Sequence, residues 1–274
     1  MTKLKFTKMH GAGNDFIVVD ARRKRIANPG QLAKRLCERH FSIGADGLIL
    51  IRPSKRADYK MRIFNPDGSE AEMCGNGIRC FAKYLHDRKI TKKHLLTIET
   101  KAGIIKPEIF QSQVKVDMGE PQLARPHIPM IGNSEPAINE TLALKDRNVR
   151  ITAVSMGNPH AVIFVKDLKT YPIEKVGKEV EHHPSFPNRT NVEFVEVLSN
   201  RELKVRVWER GVGETLACGT GACASLVASV LNGETEKKAK VHLPGGTLTV
   251  QWSEDNNIFM MGPAEAVFDG AIAI

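Results

Sequence analysis

Residues 71–80 read Ala71-Glu72-Met73-Cys74-Gly75-Asn76-Gly77-Ile78-Arg79-Cys80, and residues 216–223 read Leu216-Ala217-Cys218-Gly219-Thr220-Gly221-Ala222-Cys223. Both stretches set Cys-Gly-x-Gly ahead of a helix-forming run. The offset of 144 that carries Cys74 to Cys218 also carries Gly13-Asn14 to Gly157-Asn158 and Val18 to Val162. It carries Lys60 to Lys204, Arg62 to Arg206, Phe64-Asn65 to Trp208-Glu209, and Glu70 to Glu214. No gap is needed from Gly13 to Gly77. A constant offset over such a distance is the mark of an internal duplication.

The 274 residues suffice for two domains of ordinary size, and 42% hydrophobic with 26% charged content is that of a globular chain. No apolar run approaches the ~20 residues that span a bilayer. The first residues lack the apolar core of a signal peptide, so the expected compartment is the cytoplasm, with no membrane partner. Five cysteines, an odd number, fit reduced thiols better than a disulfide framework. The net charge is +9, but its carriers are scattered: Arg22-Arg23-Lys24-Arg25, Arg88-Lys89, Lys92-Lys93 and Lys237-Lys238. A nucleic-acid surface concentrates such charge and interleaves aromatics, which are only 6% here, so no nucleic-acid partner is expected.

Hydrophobic periodicity predicts strands at 3–10, 16–20, 48–51, 59–65, 95–100, 104–110 and 114–118, and helices at 29–39 and 76–87. Residues 120–148 carry Pro121, Pro126, Pro129 and Pro136 and read as the connection between copies, with a short helix at 139–145. The second copy repeats the order, with helices at 172–182 and 221–231 and strands between and after them. Residues 222–231 have no charged face, and a helix that is apolar or small all round is buried on every side. The expected fold is therefore α+β: two pseudo-symmetric lobes, each a mostly antiparallel, barrel-like β-shell around one central helix. The lobes are expected at 1–118 and 119–263, with a tail at 264–274 packing back on the first.

The Cys-Gly-x-Gly turns carry the chemistry. The first N–H groups of a helix lack intrahelical acceptors, and the helix dipole adds to their pull on an anion. A cysteine there is expected to have a pKa below its ordinary ~8.5. Two such cysteines related by duplication suit inversion at a carbon bearing a proton: one thiolate removes it, the opposite thiol returns another to the other face. Cys37, Cys80 and Cys223 lie in apolar helical runs and read as small core residues. Asn14 and Asn158 follow glycine at turns into strands. Asn65 and Glu209 end equivalent strands, and Glu209-Arg210 is suited to an ammonium with a carboxylate. His160, after Asn158-Pro159, is placed to tune a thiol or to face solvent. The spacings between cysteines contain no Cys-x-x-Cys pair, so no metal site is expected.

The segments His10-Gly-Ala-Gly-Asn-Asp-Phe16, residues 64–80, Gly157-Asn-Pro-His160, Trp208-Glu-Arg-Gly211 and Ala217-Cys-Gly-Thr-Gly221 together resemble the diaminopimelate epimerases. The resemblance covers nearly the whole chain. It implies an isomerase that needs no cofactor, interconverts LL- and meso-2,6-diaminopimelate in lysine and peptidoglycan precursor synthesis, and forms a homodimer. It implies Cys74 and Cys218 as the acid/base pair. Asn14, Asn65, Asn158, Asn191, Glu209 and Arg210 would contact substrate; Gly75, Asn76, Gly219 and Thr220 would cradle the reacting carboxylate; His160 and Glu209 would tune the thiols. Some relatives carry a substrate-touching glutamine where this chain has Gly47, a contact glycine does not supply. The alternative is a proline-racemase-like enzyme of the same fold, which usually shows histidine at the position of Asn76 and lacks the Gly-Ala-Gly-Asn-Asp-Phe start.

Overall fold

A computed structural model describes residues 3–133 and 135–274. They divide into two compact units: residues through Asp117 together with Met261–Ile274, and Met118–Met260.

In the first unit the strand order is Glu265–Ala273, Lys3–Gly11, Asn14–Asp20, Gly47–Arg52, Tyr59–Phe64, Ile98–Thr100 and Gly103–Ile105, with Glu70–Ala71 pairing on Tyr59–Phe64. The pairings are antiparallel except for Asn14–Asp20 with Gly47–Arg52 and Tyr59–Phe64 with Ile98–Thr100. Helix α1 (Pro29–Cys37) and helix α2 (Gly75–Asp87) both pack on the Gly47–Arg52 strand. Ala33, Leu36 and Cys37 of α1 share a core cluster with Leu48 and Leu50. Ile49, pointing the other way, approaches Gly77 of α2, as does Ile63. A strand covered on both faces must be apolar at every position, so Leu48–Ile51 reads as an unbroken run. Helix α2 also touches Lys3–Gly11, Asn14–Asp20, Tyr59–Phe64, Glu108–Phe110, Gln113–Asp117 and Glu265–Ala273.

The second unit orders its strands Glu140–Ala143, Asn148–Ser155, Pro159–Phe164, Asn191–Ser199, Glu202–Glu209, Lys238–Leu243 and Gly246–Trp252. Helix α3 (Ile173–Glu181) packs Ile173, Val176 and Val180 against Val192 and Phe194. Gly177 lets it settle on Trp208, whose ring would lie 2.6 Å from a Cβ at that position. Helix α4 (Gly219–Leu231) touches six strands of this unit and is buried from Ala222 to Ser229, as its uncharged surface requires.

The duplication extends to hydrogen-bond register. Phe16 pairs with Gly47 in parallel, and His160 pairs with Asn191; Leu48 pairs with Phe64, and Val192 with Trp208; Ile63 pairs with Ala71, and Val207 with Thr215. Each second pair stands 144 positions after the first. Helices α2 and α4 span the same thirteen positions of their copies.

The expected α+β fold is present, its shells being open: neither strand order closes on itself among the described residues. One expectation needs correction. The segment expected to hold a short helix contains the strand Glu140–Ala143, which pairs with Asn148–Ser155 and turns Leu142 into the core. Pairing to a neighbouring strand overrides a weak local helical tendency.

Candidate active site

In the first lobe Cys74 is the N-cap of α2. Its backbone is extended, and its sulfur accepts the Gly77 amide at 3.4 Å. Space at Gly77 is tight but not closed: a Cβ there would lie 3.1 Å from the tip of Ile63 and 3.4 Å from the Cys74 Cβ. The Cys74 thiol lies 3.7 Å from Asn14 Oδ1, which also accepts from Asn76 Nδ2 at 3.1 Å. Asn14, Cys74 and Asn76 therefore form one cluster, with Gly75 as the first residue of the helix. Asn65 lies in the turn that follows its strand, donating from Nδ2 to Ser69 Oγ (2.9 Å) while Gly68 N donates to its carbonyl (2.9 Å).

In the second lobe Cys218 is the N-cap of α4, accepting from the Gly221 amide at 3.3 Å and lying 3.4 Å from Thr220 Oγ1. Gly219 opens the helix. Asn158 Oδ1 lies 3.0 Å from His160 Nε2, and His160 Nδ1 lies 2.7 Å from Glu193 Oε1. His160 is fully buried, so the solvent-facing reading is excluded. Asn191 joins three segments, donating to Pro159 O at 2.9 Å and accepting from the Arg210 amide at 2.9 Å. Arg210 is exposed and donates through Nη1 to Asn188 O at 3.2 Å. Glu209 Oε1 accepts from Thr215 Oγ1 at 2.6 Å.

The expected lowering of the thiol pKa is reversed at Cys218. Burial pushes this thiol well above its ordinary range, and the charges of Glu209 and Glu193 push it the same way. The hydrogen bonds from Thr220 and the Gly221 amide act in the opposite sense and are outweighed. A helix N-terminus stabilises a thiolate only while the sulfur keeps some access to water. Cys37, pushed up to about 11, and Cys80, pushed up to about 12, are the buried core thiols the sequence suggests.

Two carboxylates escaped the sequence reading. Glu193 sits within the run Val192–Val195, whose first-copy counterpart is all apolar, and its own counterpart is Ile49. A charged residue in such a run was the available signal. Glu181, inside α3, accepts from Trp208 Nε1 (2.8 Å) and from the Gly211 amide (2.8 Å), and so ties the turn after Arg210 to the helix.

Among the described residues no helix is long and apolar enough to cross a membrane. The solved structure of a hydroxyproline epimerase from Agrobacterium vitis superposes with a TM-score of 0.70 at 14% identity, covering 99% of this chain and 93% of that one. A Bacillus anthracis phenazine biosynthesis protein gives 0.72 at 19% identity over the whole of both chains. At such identities these likenesses establish the fold alone. In sequence, the chain is 54% identical over 275 residues to a diaminopimelate epimerase of Acetivibrio thermocellus, covering 98% of each chain. It is 54% identical over 277 residues to one of Methanococcus maripaludis, covering 99% of this chain and 100% of that one. The diaminopimelate epimerase family model matches residues 6–124 and 152–267, and so takes in both copies of the Cys-Gly-x-Gly turn. With both halves matched at this depth, the chain belongs to the diaminopimelate epimerase family.

Proposed function

We propose that this protein interconverts LL- and meso-2,6-diaminopimelate, without a cofactor, by a two-base reaction of Cys74 and Cys218. The observation that carries the reading is the pair of cysteine N-caps on α2 and α4, each accepting from the amide three residues on. Membership of the family supports the same assignment.

In the forward direction one sulfur, as thiolate, takes the proton from the substrate's α-carbon. The electron pair left behind delocalises into the adjacent carboxylate. The other sulfur, as thiol, delivers its proton to the opposite face and is left as thiolate. Protons and charge balance, and the pair ends with its roles exchanged. Amides of Gly75-Asn76 and Gly219-Thr220 hold the reacting carboxylate. A helix terminus supplies at most ~2 kcal/mol. Enzymes typically lower barriers by ~8–23 kcal/mol. Positioning of reactants, worth up to ~7–11 kcal/mol, and donors aimed at the developing enediolate must supply the rest.

Glu209 and Arg210 read the distal ammonium and carboxylate, with Asn14, Asn65, Asn158 and Asn191 completing the contacts. Asn191 does so while fixing the Arg210 backbone. Glu209, whose charge raises the Cys218 thiol pKa, and His160 tune that sulfur. The proposal includes a cytoplasmic homodimer; the exposed Val267 and Phe268 on the edge strand Glu265–Ala273 support a partner there.

The test is an assay of the purified protein with LL-diaminopimelate and with L-proline. Epimerisation of the first alone is expected. Turnover of proline alone would transfer the assignment to the proline-racemase reading.

A further inference from the structure

The first lobe holds a cluster of ions to which the reaction above assigns no role. Arg39 Nη2 reaches Asp15 Oδ1 at 2.8 Å and Asp46 Oδ1 at 2.6 Å, and Lys8 Nζ lies 2.6 Å from Asp15 Oδ2. The Asp46 amide donates to Asp15 Oδ1 at 3.1 Å, and the Asp15 amide donates to Asp46 Oδ2 at 3.1 Å. The cluster keeps Asp15 ionised: its pKa is lowered by hydrogen bonds from Arg39 and Lys8 that outweigh the cost of burial. It reaches towards the catalytic sulfur through one side chain. Asn14 Nδ2 donates to Asp46 Oδ2 at 2.8 Å.

That bond fixes which way the Asn14 amide faces. The two ends of an asparagine amide are alike in shape and differ only in donating or accepting. A carboxylate can only accept, so the nitrogen must face Asp46 and the oxygen must face the other way. There it accepts from Asn76 Nδ2 and lies 3.7 Å from the Cys74 sulfur. The second lobe solves the same problem differently: the position equivalent to Asp46 is Thr190, and Asn158 Oδ1 faces His160 instead.

We propose that Asp46, held by Arg39, is a positioning residue that turns the Asn14 amide so that it presents an acceptor, and not a donor, to the sulfur of Cys74. The proposal rests on the reading of Cys74 as an acid/base group. Without the carboxylate the amide is able to reverse, and its N–H then points at the sulfur and favours the reactive thiolate.

The test uses Asp46→Ala in the full chain, with the nearly isosteric Asp46→Leu as a second variant, neither of which offers an acceptor, and thermal melting to verify folding. Each is treated with iodoacetamide, and modification of Cys74 and Cys218 is followed by peptide mass in the same sample. The Cys74 rate is expected to rise about three- to tenfold, the range of one hydrogen bond, with the Cys218 rate unchanged, while kcat/KM for diaminopimelate falls at least about tenfold. An unchanged Cys74-to-Cys218 ratio, or an equal rise at both sulfurs, overturns the positioning role. Epimerase activity in Cys74→Ala would instead remove the acid/base reading itself, so the two failures are distinct.

Discussion

The Nδ1 of His160 lies 2.7 Å from Oε1 of Glu193, and solvent reaches neither side chain. The pair stands against the N-terminus of α4: a Cβ added at Gly221 would lie 2.7 Å from that same oxygen, 3.2 Å from the Cys218 Cβ and 3.3 Å from its sulfur. A buried carboxylate pinned by a buried imidazole has little room to withdraw.

Gly221→Ala is therefore expected to lower kcat/KM at least about tenfold and to destabilise the protein by about 1–3 kcal/mol, the usual cost of overpacking. The equivalent change in the first lobe, Gly77→Ala, meets only the tips of Ile63 and Ile49 at 3.1 and 3.4 Å and the Cys74 Cβ at 3.4 Å. Alanine's helical preference over glycine, about 0.5–1 kcal/mol, offsets that crowding. Melting curves of the two variants check the contrast; equal losses would mean that the Glu193 contact is unimportant.

Alkaline stability follows from the buried thiols. Cys37 and Cys80 are pushed up to about 11 and about 12, and Cys218 is raised as well, chiefly by burial. The unfolded chain loses these protons near pH ~8.5, while the folded chain keeps them. Their contribution is complete below that pH and is lost as pH rises from there through the folded values. Each thiol adds a slope of about −1.4 kcal/mol per pH unit in that window. Thermal melts between pH 7.5 and 10.5 should show a shallower alkaline decline in Cys80→Ala than in wild type; equal slopes would contradict this account of Cys80.

The distal end of the substrate tests the asymmetry between lobes. The second lobe has Glu209-Arg210 where the first has Asn65-Pro66. Arginine holds a carboxylate through two parallel bonds in a way lysine does not. Arg210→Lys should lower kcat/KM for diaminopimelate at least about tenfold, roughly 1.4 kcal/mol. Alkylation of Cys74 and Cys218 should change little, since the amides of Gly77 and Gly221 still cap both sulfurs. A normal kcat/KM would remove Arg210 from the site; depressed alkylation would mean that it supports the fold.

The duplication made much of this legible in the sequence. Offset and periodicity placed both central helices within two residues of their observed starts, because Cys-Gly-x-Gly is both a cap and a packing motif. The charge-free run 222–231 announced a helix wrapped by strands. Glu193 was missed because the run Val192–Val195 is otherwise apolar and was read as a plain core strand; the charge within it was the signal, and its buried partner His160 is the reason for it. The strand Glu140–Ala143 was missed because its pairing partner, not its own composition, determines it. The direction of the Cys218 pKa was misread because sequence reveals the helix N-terminus but not the burial that opposes it.

The central claim is that both faces of one carbon are served by different sulfurs. Initial rates of LL-diaminopimelate epimerisation by wild type, Cys74→Ala and Cys218→Ala, at equal concentrations of folded protein, test it most directly. The account predicts that each single variant falls at least about a thousandfold, the upper part of the usual range for removing one acid/base group. Epimerisation within tenfold of wild type in either variant would contradict it.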